Sequence, residues 1–575
     1  MKMWRLLLVL LVVLILLPAC GGAAAPTAAV PTKAAVAPTA VAPTAAAPAP
    51  TTAAQAPTSA PVSKWTGAKF GGVVNLAMVA APSTAETLTA SSVAVQVLAV
   101  EMNESLVALG EDYKIVPMLA ESWKVSDDGL TWTFSLRKGI IFHNGEEMTS
   151  QDVIASFTRF RKVSPRTSAF DIVTSVDAPD KYTVVFKVTT KTGTFLTNMA
   201  SILPDFPIMP KSVILGADGQ PKAANTLKIP GEIIGTGPYK LVQYSPDTVI
   251  VFKRHDQYQP LPGDPNGLGG NKTPYFDEVR INIVPDRSAQ VAGLQSGAYD
   301  AILDIAETDF KQFRDRPDPN VKVLGVYPGQ SYVTFFNHAD KWTGNLKFRQ
   351  AIAAGLDLEQ VALFQTGGDK DMFKLNPYLW PKEGAMYLPN DPVAEAAYNQ
   401  KNPEKAKQLL KEAGYNGEEV IYVTTRDYEP MYRDAVAIVD QLKTKMGMNA
   451  KVEVYDWAAL NAKWESKTGW QFSGSSLSSF NYVPGVLRTY WYSTSTNNVR
   501  TFYSSPAMDK ALVDGDTAIT RAEQEAAYRS LQKVYWADLV QLKLNDTPSL
   551  SAWRTNLGGY TPWYRPRLFG TWRVK

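Results

Sequence analysis

Between residues 119 and 161 the spacing of apolar positions changes from two residues to nearly four. Residues 130–136 alternate apolar and polar side chains after a turn at Asp127–Gly129, which is typical of a β-hairpin with one solvated face. Thr149 then precedes an apolar stripe at helical spacing over residues 153–160 and serves as its N-cap. The segment therefore predicts a hairpin, a turn and an amphipathic helix.

The same two periods alternate along the rest of the chain. Strands are predicted at residues 69–79, 182–188, 249–253, 276–284, 332–337, 420–424, 450–455, 470–473 and 539–544. Helices are predicted at residues 91–106, 286–297, from 348 onward, and at 402–414, 435–446, 457–467, 506–514 and 521–538. From residue 402 the alternation of helix and strand predicts βαβ units and a parallel sheet.

The amino terminus has the features of a secretory signal. Lys2 and Arg5 precede the apolar run Leu6–Leu17, which is too short for a membrane span. Within this predicted signal peptide of residues 1–20, Leu17–Cys20 resembles a lipobox, and we expect cleavage before Cys20 and diacylation of Cys20. Residues 21–63 are almost entirely Ala, Pro, Thr and Val, so they cannot bury a core and are predicted to form an extended, solvated tether.

Composition then excludes several classes of protein. The chain of 575 residues contains 1 cysteine, which rules out a disulfide framework. The formal net charge of +3 comes from Lys2, Arg5 and Lys33, so the remaining body is neutral and has no basic cluster for nucleic acid or anionic lipid. Residues 64–575 exceed one ordinary domain, and two or more lobes are expected.

Two segments resemble a known family. The first is AESWKVSDDGLTWTFSLRKGI with the following FHNGEEMTSQDV, which span residues 120–153, and the second is GTGPY at residues 235–239. They are similar to the signature segments of the family 5 extracellular solute-binding proteins. The receptors of that family deliver peptides, nickel chelates and some oligosaccharides to ABC importers.

The resemblance implies an α/β, periplasmic-binding-protein-like fold of two lobes with an extra domain inserted in the first. The implied boundaries are lobe I at residues 64–105, 225–330 and 546–575, the inserted domain at residues 106–224, and lobe II at residues 331–545. It also implies capture of a small solute by hinge closure and delivery to a permease and ATPase complex. We expect a monomer, lipid-anchored at the outer face of the cell membrane.

Peptide-binding members hold the α-amino group of the ligand with an acidic residue in a D-Y-x-x-P segment. Here Asn481 stands at that position, before Tyr482 and Pro484. A buried ammonium group without a carboxylate partner costs several kcal/mol, so anchoring of a free peptide N-terminus at Asn481 is disfavoured. The aromatic density of this region and the family's pattern give the candidate ligand contacts Asn337, Trp470, Phe480, Asn481, Tyr482 and Trp491.

An oligopeptide or peptide-like solute is the leading hypothesis for the ligand. An oligosaccharide receptor of the same family, or a sensory or structural surface lipoprotein, stays open as an alternative. An enzyme is disfavoured, because acid pairs such as Glu146 and Glu147 are adjacent and no nucleophile elbow or H-E-x-x-H motif occurs. The histidines His143, His255 and His338 are far apart in sequence, so neither a metal site nor a cofactor is predicted.

Overall fold

The computed structural model of the protein describes residues 68–90, 92–201, 206–384, 386–478, 487, 491, 493, 501–563 and 566–574. Cys20, with the predicted signal and tether, lies outside these residues, and so do Phe480, Asn481 and Tyr482. No helix in the described part of the chain is long and apolar enough to cross a lipid bilayer.

The strands group into one large sheet and several small ones. They are β1 (Val73–Met78), β2 (Val107–Leu109), β3 (Ile115–Pro117), β4 (Ala120–Val125), β5 (Thr131–Leu136), β6 (Val173–Asp180), β7 (Thr183–Val188), β8 (Tyr239–Ser245), β9 (Val249–Arg254), β10 (Pro265–Asn266), β11 (Gly269–Gly270), β12 (Glu278–Ile283), β13 (Ala301–Ile302), β14 (Val321–Phe336), β15 (Val420–Thr425), β16 (Ala450–Tyr455), β17 (Phe472–Ser478), β18 (Gln541–Arg554), β19 (Leu557–Gly558) and β20 (Trp572–Arg573).

The helices pack on the faces of these sheets. They are α1 (Val93–Met102), α2 (Ser150–Val163), α3 (Phe195–Ala200), α4 (Lys211–Ile214), α5 (Arg287–Ser296), α6 (Glu307–Asp315), α7 (Leu346–Gly355), α8 (Leu358–Gln365), α9 (Pro392–Ala397), α10 (Pro403–Glu412), α11 (Glu429–Thr444), α12 (Trp457–Trp464), α13 (Pro506–Thr517) and α14 (Arg521–Asp538).

Several helix ends follow from single residues in the sequence. Thr149 and Asp152 form a reciprocal capping box at the start of α2, as the sequence predicts. The Asp286 carboxylate accepts a hydrogen bond from the Ala289 amide at 3.0 Å and caps α5. Gly297, at φ 89°, ends that helix in the left-handed conformation that glycine adopts without strain.

Ten strands of the described residues form the main sheet, in the order β16-β15-β17-β14-β18-β13-β1-β12-β9-β8. The long strands β14 and β18 are antiparallel to each other in its middle. The first half of β14 pairs with the part of β18 that also pairs with β13, whereas its second half pairs with β17. These two strands, called the hinge pair here, therefore carry the sheet from lobe I into lobe II.

The inserted domain has its own sheet and its own core. Its strands are antiparallel in the order β4-β5-β7-β6. Trp132, Phe134 and Leu136 are buried on one face, as the alternating pattern predicts. The rings of Phe134 and Phe157 each meet Phe186 edge to face, at 5.7 Å and 5.4 Å between ring centroids. This core is separate from the apolar clusters that fill lobes I and II.

The two family-like segments meet where the inserted domain joins lobe I. The Gly235 amide donates a hydrogen bond to His143 Nδ1 at 3.2 Å, and His143 Nε2 lies 3.0 Å from the Gly237 carbonyl oxygen. Because Nδ1 accepts, the proton of the neutral ring is on Nε2. Burial lowers the pKa of His143 to about 3, which keeps the ring neutral at physiological pH. His143 therefore fixes the two segments against each other.

A buried polar network strengthens the same junction. The Glu104 carboxylate accepts hydrogen bonds from Thr236 at 3.0 Å and from the Tyr258 hydroxyl at 2.8 Å, and Lys272 lies 3.5 Å away. His255 Nε2 lies 3.0 Å from the Ile141 carbonyl oxygen. Because the carboxylate at the centre is paired and hydrogen-bonded, its burial within lobe I is compensated. The contact of His255 with Ile141 links this part of lobe I to the inserted domain.

Most predicted boundaries differ from the observed ones by a few residues, and three lie furthest from them. The strand predicted at residues 332–337 begins at Val321, and the one predicted at 539–544 continues to Arg554. Pro328 and Pro548 interrupt the apolar pattern of these two strands, so the sequence does not predict that each strand extends past its proline. Helix α11 begins at Glu429 rather than near residue 435, because Pro430 occupies its first turn, where proline is tolerated. The domain boundaries given above stay a prediction.

Candidate functional site

The parallel strands of the two lobes point at each other. In lobe I, β1, β12 and β13 are parallel, and in lobe II so are β15, β16 and β17. Since β13 and β14 are both antiparallel to β18, they share one direction, and β17 runs against β14. The carboxyl ends of both strand sets therefore converge on the middle of the hinge pair. Ligands of open α/β sheets bind beyond strand carboxyl ends.

We call this region the interlobe site. It comprises the segments that follow the converging strands and the middle of the hinge strand β14. In lobe I the segment is residues 303–307, and in lobe II the segments are residues 426–433 and 456–457, with Tyr327–Tyr332 between them.

The lobe II side presents a cation beside aromatic rings that are exposed or half-buried. Arg426 follows β15, is exposed, and donates through Nη2 to the Tyr432 hydroxyl at 2.9 Å. Its guanidinium lies 4.6 Å from the centre of the Tyr432 ring, a cation–π arrangement. Among the described residues it forms no ion pair with a carboxylate. A planar, unneutralised guanidinium at a strand end is suited to binding a ligand carboxylate.

The aromatic surface next to Arg426 is held in place by its neighbours. Tyr428 is 50% exposed, and its ring meets Trp457 edge to face at 4.8 Å. The Asp427 carboxylate accepts a hydrogen bond from the Trp457 amide at 2.7 Å and so joins the ends of β15 and β16. The accessible faces of such rings can pack against apolar side chains or sugar rings of a ligand.

The lobe I side is acidic. Asp304 is exposed and lies 3.8 Å from Arg287, and Glu307 lies in the first turn of α6. Partial burial raises the pKa of Glu307, while the positive charge of Arg433 on the facing lobe opposes the shift. Charges of opposite sign therefore face each other across the interlobe site.

Tyrosines on β14 lie between the two sides. The pKa of Tyr332 is raised by burial and by the negative charges of Asp434 and Glu307, which belong to different lobes. The Tyr327 hydroxyl is buried without a hydrogen-bond partner in the described residues, and Lys374 Nζ lies 3.8 Å from its ring centre. Both residues lie on the strand that crosses from lobe I into lobe II.

The structure places two predicted contacts at the far end of β14. Asn337 is fully buried, and its amide donates hydrogen bonds to the carbonyl oxygens of Lys467 at 3.1 Å and Trp470 at 3.0 Å. The Trp470 ring is buried and donates to the Ser466 carbonyl oxygen at 2.7 Å. Gln330 pairs with the carboxyl end of β17, whereas both residues lie near its amino end, about 20 Å along the strand. Their ligand role stays a prediction.

Trp491 is also buried, at 1% exposure, and its ring lies 5.3 Å from that of Tyr535 in the lobe II core. Phe480, Asn481 and Tyr482 lie outside the described residues, although the strand that leads to them, β17, ends at the interlobe site. For all four residues the role in ligand binding stays a prediction.

Sequence reasoning missed Arg426 and Tyr428. The available signal was positional, because both follow a predicted strand of the parallel βαβ unit directly. Polar and aromatic residues at such a position lie at the functional edge of the sheet. The predicted set concentrated instead on the aromatic-rich stretch after residue 470, where most of the described rings are buried.

Comparison with known proteins gives consistent results. The model of the family described as "Bacterial extracellular solute-binding proteins, family 5 Middle" matches residues 114–499 of the chain. Heme-binding protein A of Haemophilus influenzae is 31% identical over 370 residues, which are 60% of this chain and 62% of that protein. The chain thus spans less than two thirds of that relative. The oligopeptide-binding protein AppA of Bacillus subtilis is 27% identical over 476 residues, 78% of this chain and 81% of that protein.

The fold is also shared with solved structures. The periplasmic binding protein DppA of Helicobacter pylori, in complex with the peptide STSA, superposes with a TM-score of 0.72 at 24% sequence identity. The superposition covers 88% of this chain and 99% of that one. This confirms the expected α/β fold of several lobes.

Proposed function

The chain belongs to family 5 of the bacterial extracellular solute-binding proteins, and we propose that it is the substrate-binding receptor of an ABC importer. It captures a peptide or peptide-like solute at the interlobe site, closes its lobes by bending the hinge pair, and presents the closed form to the permease. It performs no chemistry on the solute.

The facing carboxyl ends of the two strand sets carry this proposal. A solute there touches both lobes at once, so its binding energy favours the closed arrangement over the open one. An enzyme could use the same location, but the family consists of solute-binding receptors.

A peptide suits the charges of this site. Arg426 provides a fork for the terminal carboxylate, and Tyr428 with Trp457 provides a surface for side chains. The relative AppA is named as an oligopeptide-binding protein, and the DppA structure contains a tetrapeptide. A neutral oligosaccharide would use the rings but would leave the guanidinium without a partner.

The residue at position 481 leads to a second proposal, which concerns the amino end of the ligand. Because Asn481 lacks the charge that a carboxylate would offer to a ligand ammonium group, a free N-terminus gains no ion pair there. We therefore propose that the receptor accepts peptides whose amino end is blocked.

The proposed attachment to the membrane concerns Cys20. After cleavage before Cys20, a diacylated Cys20 anchors the monomeric receptor at the outer face of the cell membrane, and residues 21–63 act as the tether. Intact-mass analysis of membrane-extracted protein tests this, because diacylation adds a lipid mass to a chain that begins at Cys20.

The test of the proposed function uses three versions of each member of a synthetic peptide pool: unmodified, C-terminally amidated and N-acetylated. N-acetylated peptides are expected to bind at least as tightly as unmodified ones, because the free ammonium group gains no ion pair, whereas amidation weakens binding. For unmodified peptides Arg426→Gln is expected to cost about tenfold or more in affinity, the range for a hydrogen bond between charged groups. For amidated peptides the same variant should cost little. Titration calorimetry measures all of these values.

Arg529→Gln is the matched control, because Arg529 is an exposed arginine on the outer helix α14. It should leave every affinity unchanged. If no peptide binds while neutral oligosaccharides do, the oligosaccharide alternative replaces the peptide proposal. If Arg426→Gln weakens the binding of amidated and unmodified peptides equally, Arg426 does not bind the terminal carboxylate.

A further inference from the structure

The inserted domain contacts lobe II through the segment of residues 191–193, although the chain joins each of them to lobe I and not to the other. The Gly193 amide donates a hydrogen bond to the Asp516 carbonyl oxygen at 2.8 Å, and the Thr192 hydroxyl donates to the same oxygen at 3.1 Å. Lys191 Nζ lies 3.4 Å from Glu523 Oε1, with both side chains about half exposed. The exposed ion pair adds little, so the backbone contact dominates.

The contact leaves no space for a side chain on Gly193. A Cβ atom built on this residue would lie 1.5 Å from the Ala518 carbonyl oxygen, far inside van der Waals distance. The backbone of Gly193 is not in the left-handed region, so alanine at this position would be strained only by the contact itself. An alanine would therefore block the contact and leave the turn intact.

The two sides of this contact belong to parts of the molecule that are joined to lobe I in different ways. The inserted domain is held to lobe I through the contacts of His143 with Gly235 and Gly237 and through the contact of His255 with Ile141. Lobe II joins lobe I through the hinge pair. Among the described residues, no apolar cluster combines residues of the inserted domain with residues of lobe II. A small polar contact without an apolar core can break and re-form as the lobes move.

We propose that this contact is a latch, which forms when the lobes close and breaks when they open. It raises ligand affinity without touching the ligand, because the apparent affinity of a receptor increases with the population of its closed form. The inference rests on the proposed function, since it requires that solute binding closes the lobes.

The first experiment needs no ligand. In the ligand-free full chain, hydrogen exchange at the Gly193 amide is compared with exchange at the Phe134 amide in β5, a strand inside the sheet of the inserted domain. A latch that opens with the lobes predicts much faster exchange at Gly193. Exchange as slow as that at Phe134 shows a permanent contact and overturns the proposal.

The second experiment adds ligand and a variant. The probe is a pool of synthetic peptides of two to nine residues, and it should slow exchange at Gly193 in the wild type. Gly193→Ala should bind the pool at an unchanged association rate but release it about tenfold faster, because only the closed form is destabilised. If Gly193→Ala releases the peptides at the wild-type rate, the latch proposal is wrong.

Two further variants separate the latch from other effects. In Gly231→Ala the added Cβ meets no atom within 4 Å, so this matched control should release the pool at the wild-type rate. Thr192→Val removes the hydrogen bond from Thr192 to the Asp516 carbonyl oxygen, together with its hydrogen bonds to Thr194 in the same segment. It should accelerate release by a smaller factor, because the Gly193 contact remains, and it keeps the test decisive if Gly193→Ala does not fold. If the wild type binds no peptide, the proposed peptide ligand fails, while the ligand-free experiment still decides the latch.

Discussion

Glu101 on α1 shows how one buried carboxyl group couples stability to pH. It is 1% exposed, and its Oε1 accepts a hydrogen bond from the Leu568 amide at 2.8 Å. Its other oxygen is buried without a partner in the described residues. Burial raises the pKa of Glu101 from 4.5 to about 7, against the lowering effects of the Leu568 amide and of Lys272.

This shift gives a prediction with a definite sign. Because the folded pKa exceeds the unfolded one, the contribution of Glu101 to stability is complete below pH 4.5 and is lost as the pH rises to 7. Glu101→Gln keeps the shape of the side chain, but the amide cannot ionise. Between pH 5 and pH 8 the stability of the wild type should therefore fall relative to the variant by up to about 3 kcal/mol. Urea denaturation at both pH values measures the difference.

The control is Glu121→Gln, which alters an exposed carboxylate on β4. Its stability should follow the pH profile of the wild type. If the stability of the wild type and that of Glu101→Gln change with pH in the same way, burial does not raise the pKa of Glu101.

Single residues also show what sequence reasoning can locate. Thr149, Asp286 and Asn402 cap helices as predicted, because capping depends on side chains within one turn. The positions of Arg426 and Trp470 depend on which end of a strand faces the other lobe. That information lies in strand order and direction, which local periodicity does not contain.

At the scale of elements, the hinge pair holds the most information about function and was the hardest to predict. Val326 and Gln330 flank an irregularity in the pairing of β14 with β18, and Pro548 lies opposite in the partner strand. Prolines normally mark edges or ends of strands, so the sequence predicts short strands. In the structure the irregularity lies where lobe I ends and lobe II begins.

Gly329, within this irregularity, provides a prediction about the hinge. A Cβ atom on Gly329 would lie 2.4 Å from the Thr547 carbonyl oxygen and 2.5 Å from the Pro548 carbonyl carbon. Gly329→Ala should push β14 away from β18 and shift the balance between open and closed forms. Overpacking of about 1–3 kcal/mol corresponds to a change in peptide affinity of roughly tenfold, which titration calorimetry measures.

Gly325 lies four residues earlier on the same strand and supplies the comparison. A Cβ atom there would lie 3.2 Å from a side-chain carbon of Pro548, a contact that a small shift relieves. Gly325→Ala should change affinity much less than Gly329→Ala. Equal effects of the two variants would mean that the crowding at residue 329 has no special part in closure.

At the scale of the whole molecule, the resemblance predicted more than the physical pattern did. Alternation and helix signals indicate an α/β chain of more than one lobe, and the family-like segments supply the architecture that the comparison with DppA confirms. The identity of the solute does not follow from either, because it depends on a few side chains placed by both lobes. In the proposal made above, Arg426 is one of these side chains.

Closure of the lobes around a solute is the central claim. It is tested most directly by small-angle X-ray scattering of the full chain with and without the peptide pool. The account predicts a smaller radius of gyration at saturation, reached at the same peptide concentration as the calorimetric binding signal. Scattering curves that remain superimposable although calorimetry shows binding would contradict it.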